Sequence, residues 1–145
     1  MQRGYPQRPI LGVAGIIIKD GKVLLIKRGK EPGYGKWSIP GGVVKLGEPL
    51  KEAVRREVLE ETGLKVEPIE FVEVFERVIR DKESKIEYHY VLIDFVCRYI
   101  SGEAKSGTDA LDTRWVIPEK ISNYNMTTGT EEVIKKAFKK FSSFH

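Results

Sequence analysis

Gly42-Val-Val-Lys-Leu-Gly-Glu48-Pro49-Leu-Lys-Glu-Ala-Val-Arg-Arg56-Glu57-Val-Leu-Glu60-Glu61-Thr-Gly63-Leu64 is the segment around which the rest of the chain is organised. It predicts one helix over Pro49 to Thr62. Proline suits a first turn, where its missing N–H costs nothing, and Gly63 stands where a left-handed residue closes a helix. At 3.6 residues per turn, Glu60 and Glu61 fall on either side of Glu57, so three carboxylates share one patch. Leu50, Ala53 and Val54 lie on the same face with Val58 at its margin, while Lys51, Glu52 and Arg55 lie opposite. Like charges at these spacings cost about 0.2 to 0.5 kcal/mol per pair, and acids in a last turn oppose the helix dipole. Arg56, four residues before Glu60, offsets part of this. A merely solvated Glu-rich helix would turn its acids away from the apolar stripe. Acids beside that stripe call for a compensating cation, and hard oxygen ligands suit Mg2+ or Mn2+.

The spacing of these residues carries a family resemblance. Gly42, then Glu48, then Arg56-Glu57-Val58-Leu59-Glu60-Glu61-Thr62-Gly63-Leu64 resembles an unbroken Nudix box. Trp37-Ser-Ile-Pro-Gly-Gly42 before it and Asp112-Thr-Arg-Trp-Val116 after it are similar to common Nudix segments, so the resemblance reaches across most of the chain.

Composition is consistent with this. A chain of 145 residues is one domain by size, here 1–145, and is long enough to close a core. Its 41% hydrophobic and 32% charged residues are those of a soluble globular protein. A net charge of +4 suits anionic ligands, but the one dense lysine cluster, Lys135, Lys136, Lys139 and Lys140, reads as a solvated helix face rather than a nucleic-acid site. Cys97 is the single cysteine, which excludes an internal disulfide, and it falls in a strand pattern. No apolar run resembles a signal peptide or reaches the length of a membrane span, so the expectation is a cytoplasmic protein without membrane or nucleic-acid partners.

Along the chain, residues 1–10 read as an N-terminal arm, either disordered or docked on a partner subunit. Leu11 to Ile18 and Val23 to Lys27 read as antiparallel strands around an Asp20-Gly21 turn. Gly29 to Gly35 is a loop. Lys65 to Ile79 and Ile86 to Tyr99 are long strand patterns around a polar tip, the second apolar on both faces and so expected to be central and covered on both sides. Thr113 to Ile117 is a short strand, Pro118 opens a helical turn, and Thr128-Gly-Thr-Glu131 offers a capping box to a helix ending near Phe141. Val133, Ile134, Ala137, Phe138 and Phe141 form its apolar stripe.

The resemblance implies the Nudix fold, an α/β (α+β) domain with a mixed β-sheet sandwiched between helices. It implies Mg2+, with Mn2+ as substitute, held by Glu57, Glu60, Glu61 and the backbone carbonyl of Gly42 or Gly41. Asp109 is first choice for a further acid, ahead of Asp112 and Glu103. Catalysis would fall to Glu57 and Glu60, either as base, with Arg56 orienting them; Glu48 and Gly63 would be structural. Arg28, Trp37 and Gly41 are candidates to meet substrate. The implied reaction is hydrolysis of a nucleoside diphosphate derivative, with ADP-ribose leading. The proline that marks many ADP-ribose hydrolases downstream of the box is missing, Ile79 and Arg80 standing there. A nucleoside triphosphate or dinucleoside polyphosphate hydrolase is the alternative, and a non-catalytic nucleotide-binding module a third reading. A homodimer is also implied.

Overall fold

The fold was established from a computed structural model, which describes residues 3–106 and 109–142. Ten elements follow in order: β1 (Ile10–Lys19), β2 (Lys22–Arg28), β3 (Trp37–Ser38), β4 (Gly41–Val43), α1 (Leu50–Thr62), β5 (Lys65–Arg80), β6 (Ile86–Ser101), β7 (Ala110–Val116), a 3-10 turn (Pro118–Asn123) and α2 (Thr130–Ser142). The strands form one mixed sheet of order β3-β2-β1-β6-β5, with β4 also on β1 and β7 also on β2.

The feature that positions the site is a fork. β1 and β2 pair only beside their turn, Ile18 with Val23 and Lys19 with Lys22. Beyond it they diverge, and the chain fills the gap by laying β3 on β2 and β4 on β1. β1 continues on its other edge in parallel with β6 from Ile10 to Ile18.

Each face of the sheet is covered by one helix. Ile16, Ile18, Val23, Leu25 and Val96 pack with Val133, Ile134 and Ala137 of α2. Ile17, Leu24, Phe95 and Cys97 pack with Ala53, Val54 and Val58 of α1. β1 is covered on both faces from Gly12 to Ile18, and those residues are apolar without exception, as a doubly buried strand requires. The Cys97 thiol is buried, which pushes its pKa well up and makes it inert. Among the described residues no helix is long and apolar enough to cross a membrane.

Four expectations are corrected. Over its described residues the arm is not free: the Tyr5 N–H donates to Glu87 O at 2.7 Å and its hydroxyl to Asp81 Oδ2 at 2.9 Å, so it lies on the chain's own β5–β6 hairpin. Ile10, counted in the arm, opens β1. β6 is central but covered on both faces only over Asp94–Cys97, since the hairpin projects past both helices. The capping box does not form; Glu131 accepts from Ser122 and pairs with Lys135, while the Thr127 and Thr130 hydroxyls bond each other.

Candidate active site

α1 ends as its sequence dictates. Gly63 adopts φ 82° and its N–H donates to Leu59 O at 2.9 Å. Buried Thr62 donates from Oγ1 to Val58 O at 2.7 Å and accepts the Leu64 N–H at 3.2 Å. This fixes the last turn, and with it the directions of the three glutamates.

Those directions are not equivalent. The Glu57 side chain is 16% exposed and Glu61 keeps Oε1 out of solvent, whereas Glu60 is 59% exposed at the rim. The wheel placed all three on the inward stripe; the actual packing leaves Glu60, like its neighbour Leu59, facing water. Among the described residues no three acid, histidine or cysteine side chains form a ready-made metal cage. Arg56 accounts for this arrangement. Its Nε and Nη2 grip Glu48 at 2.6 and 2.9 Å, Nη2 reaches Val43 O at 3.1 Å, and Nη1 holds Glu57 Oε1 at 2.7 Å and Glu60 Oε2 at 3.4 Å. The guanidinium, with the Lys45 N–H, holds the Glu48 carboxyl down at about 2. Glu48 therefore anchors Arg56, and Arg56 Nη1 bridges the Glu57 and Glu60 carboxylates.

Glu61 is the strained member. Burial, then the charge of Glu57, pushes its carboxyl up to about 7, and Arg28, the Gly41 N–H and Lys30 only partly oppose this. Its Oε1 is, among the described residues, the one buried side-chain oxygen or nitrogen without a partner. Two glycines close the floor. A methyl on Gly42 would overlap the Glu57 carboxylate, and one on Gly41 would overlap Val13 O of β1. An orphaned carboxylate oxygen, a second carboxylate facing it and backbone oxygen at the bare glycines fit a hard divalent cation. Glu57, Glu61 and the Gly41 or Gly42 carbonyl would hold it, with Glu60 reaching in from the rim.

The glutamates line one end of a cleft of about 260 Å³ that opens in the fork between β1 and β2. Arg28 lines it too, its Nε donating to Pro32 O at 2.7 Å. So does Asp109, which meets Lys30 Nζ at 3.0 Å. Asp112 instead binds the Thr113 N–H and Arg114, and Glu103 is exposed beside Gly63, so Asp109 is the loop acid nearest the site. Trp37 is not a wall of the cleft: it packs edge-to-face on Tyr124, ring centroids 5.2 Å apart, as part of the core under α2. Sequence reading missed Lys30, Arg77 and Asp94, which also line the cleft. Arg77 and Lys30 resemble any surface cation in sequence. Asp94 had a signal, being the lone charge within the apolar run Val91 to Cys97.

A sheet held between two helices, with a cleft acidic at one end and basic along one wall, defines the class of α/β domain to which this chain belongs. The NUDIX domain model matches residues 8–137, and the chain belongs to that family. It is 41% identical over 107 residues to an ADP-ribose pyrophosphatase of Methanocaldococcus jannaschii, an alignment covering 74% of this chain and 61% of that protein. It is 32% identical over 130 residues to the nucleoside triphosphatase NudI of Escherichia coli, covering 85% of this chain and 92% of that one. A crystal structure of a MutT NUDIX hydrolase from Burkholderia pseudomallei superposes with a TM-score of 0.78 at 28% identity, over 90% of this chain and 98% of that one.

Proposed function

We propose that this chain hydrolyses the phosphoric anhydride bond of nucleoside diphosphate derivatives, using Mg2+ or Mn2+, with ADP-ribose, yielding AMP and ribose 5-phosphate, as leading substrate. The observation that carries the reading is the orphaned, buried Glu61 oxygen facing Glu57 over a glycine floor. A cation bound there would neutralise the diphosphate and lower the pKa of a water. The chain's own groups do the rest. Glu57 and Glu60 are released from Arg56 to accept a proton or hold an ion, while Glu48 keeps the guanidinium from following them. Arg28 and Lys30 take phosphate oxygens, and the Asp109 carboxylate orients Lys30. ADP-ribose leads through the relative from Methanocaldococcus jannaschii, while the fuller coverage of NudI supports a second reading, nucleoside triphosphate hydrolysis. The proposal includes a homodimer in the cytoplasm, and light scattering that returns the monomer mass at every concentration would remove the dimer.

The test is a panel of ADP-ribose, diadenosine polyphosphates and nucleoside triphosphates, assayed with and without divalent metal. A preference of about tenfold, or 1.4 kcal/mol in the transition state, names the substrate; a flat profile sinks the ranking. If Glu57→Gln leaves metal-dependent turnover unchanged, the site itself is misassigned.

A further inference from the structure

The cleft has a second end that the reaction above does not use. On the sheet face toward α2, the register aligns Asp94, Leu92 and Tyr90 of β6 with Glu73, Phe75 and Arg77 of β5, and with Ala14 and Gly12 of β1. Phe75, Leu92 and Tyr90 make an apolar and aromatic slot roofed by the start of α2. Phe75 sits directly on Gly129, where an added Cβ would fall 2.6 Å from its ring. Gly12 likewise leaves room for Leu92, whose Cδ2 lies 2.7 Å from where a Cβ would be.

Asp94 stands at the inner end of that slot. It is 5% exposed, on a cleft wall, and among the described residues has neither a hydrogen bond nor an ion pair. Its oxygens reach the cleft rather than lying sealed in the core, and the charged group beside it, Glu73, is an acid already bound to Lys136. Among the described residues the carboxyl makes no hydrogen bond or ion pair of its own and faces the cleft, so it is open to a donor that a ligand would bring.

The distance to the reacting end is set by the sheet. Ala14 of β1 pairs with Gly41 on one edge and with Asp94 on the other. Two neighbouring strand spacings of about 4.8 Å therefore place the Asp94 backbone roughly 10 Å from the glycine floor. That is the span between the base of a nucleotide and its phosphates. Flat aromatic and apolar walls suit a base face, and a carboxyl at the end suits its N–H edge.

We propose that the slot of Phe75, Leu92 and Tyr90 is the nucleobase subsite, and that Asp94 recognises the base by accepting an N–H from its hydrogen-bonding edge. The proposal rests on the nucleotide reading of the site, but it concerns binding and not turnover. Burial and the neighbouring Glu73 push the Asp94 carboxyl up to about 7. Near neutrality it can accept one hydrogen bond and donate another, which matches the adenine amino group with its adjacent ring nitrogen. When ionised it accepts two, which matches guanine.

The test is equilibrium binding of nucleoside monophosphates to the intact protein without divalent metal, so that no hydrolysis is involved. The probes are AMP, GMP, purine riboside 5′-monophosphate, which lacks the N–H on that edge, and ribose 5-phosphate, which lacks the base. The wild type is expected to bind AMP or GMP about tenfold or more tighter than purine riboside 5′-monophosphate, because a site built for an N–H rejects an analogue without it. In Asp94→Leu that ratio collapses toward one, while Asp94→Asn, which keeps an acceptor oxygen, preserves it for AMP. A melting curve for each variant separates folding loss from loss of recognition, since a purely structural Asp94 would alter stability and leave the ratio intact. Equal wild-type affinity for AMP and purine riboside 5′-monophosphate overturns the proposal. An unchanged ratio in a folded Asp94→Leu does the same, as does ribose 5-phosphate binding as tightly as AMP. If base selectivity holds but no anhydride is cleaved in the panel above, only the catalytic reading falls.

Discussion

Replacing Glu61 by Gln sets stability against activity in a way that isolates the proposed metal site. In the metal-free protein the Glu61 carboxyl stands at about 7 instead of its ordinary 4.5, from burial first and Glu57 second. A carboxyl raised on folding adds stability that is fully present below 4.5 and is lost as pH rises through about 7. At pH 8 the ionised side chain therefore costs the fold about 3 kcal/mol, at 1.36 kcal/mol for each unit between the two values. Gln removes the charge and keeps an oxygen toward the Gly41 N–H, but adds an amide whose donors need partners, so about half of this is recovered. For a chain of this length that is a rise in Tm of about 5 °C in EDTA at pH 8. At pH 5, where Glu61 is protonated, the gap should close. Mg2+ should reverse the order at pH 8, since ion in hundredfold excess over its dissociation constant stabilises the wild type by about 2.7 kcal/mol and the variant by less. Hydrolysis should fall about a hundredfold or more. Calorimetry or circular dichroism at both pH values, with and without Mg2+, reads all of this. A variant that melts at or below the wild type in EDTA at pH 8, or a gap that persists at pH 5, would rule out a destabilising Glu61 charge.

Two further substitutions separate the floor of the site from its scaffold. Gly42→Ala places a methyl where the Glu57 carboxylate lies; turnover should drop by about a hundredfold with Tm within a few degrees, whereas unchanged kcat would mean that Glu57 does not work from this position. Thr62→Val leaves the buried Leu64 N–H without its acceptor; denaturant unfolding should show a loss of about 1 to 3 kcal/mol, and a loss below about 0.5 would show that the chain repairs the cap with another group.

Most of the frame was legible in the sequence because it depends on local rules. Gly63 had to end α1, since a left-handed residue there favours glycine, and the Asp20-Gly21 turn had to fold β1 back on β2. The stripe of α2 announced that Val133, Ile134 and Ala137 would be buried, and the spacing from Gly42 to Glu61 announced an acidic site. Asp109, expected as a loop acid near the box, lines the cleft and pairs with Lys30.

What the sequence could not decide were relations between elements distant along the chain. Helical periodicity gives the angle of Glu60 about its own axis but not what the fold lays over it, and the assembled chain leaves Glu60 in solvent while burying part of Glu61. Nothing local says that β1 and β2 diverge, yet that fork makes the cleft and sets Gly41 and Asp94 on opposite edges of Ala14. Trp37 shows the same limit, since an aromatic before the glycines could stack on a ligand or a neighbour until Tyr124, far along the chain, takes its face. The chain's own spacing determined which groups exist to do chemistry; their burial, and so their charge and reach, was decided only when the sheet closed around them, because desolvation is a property of the assembled fold.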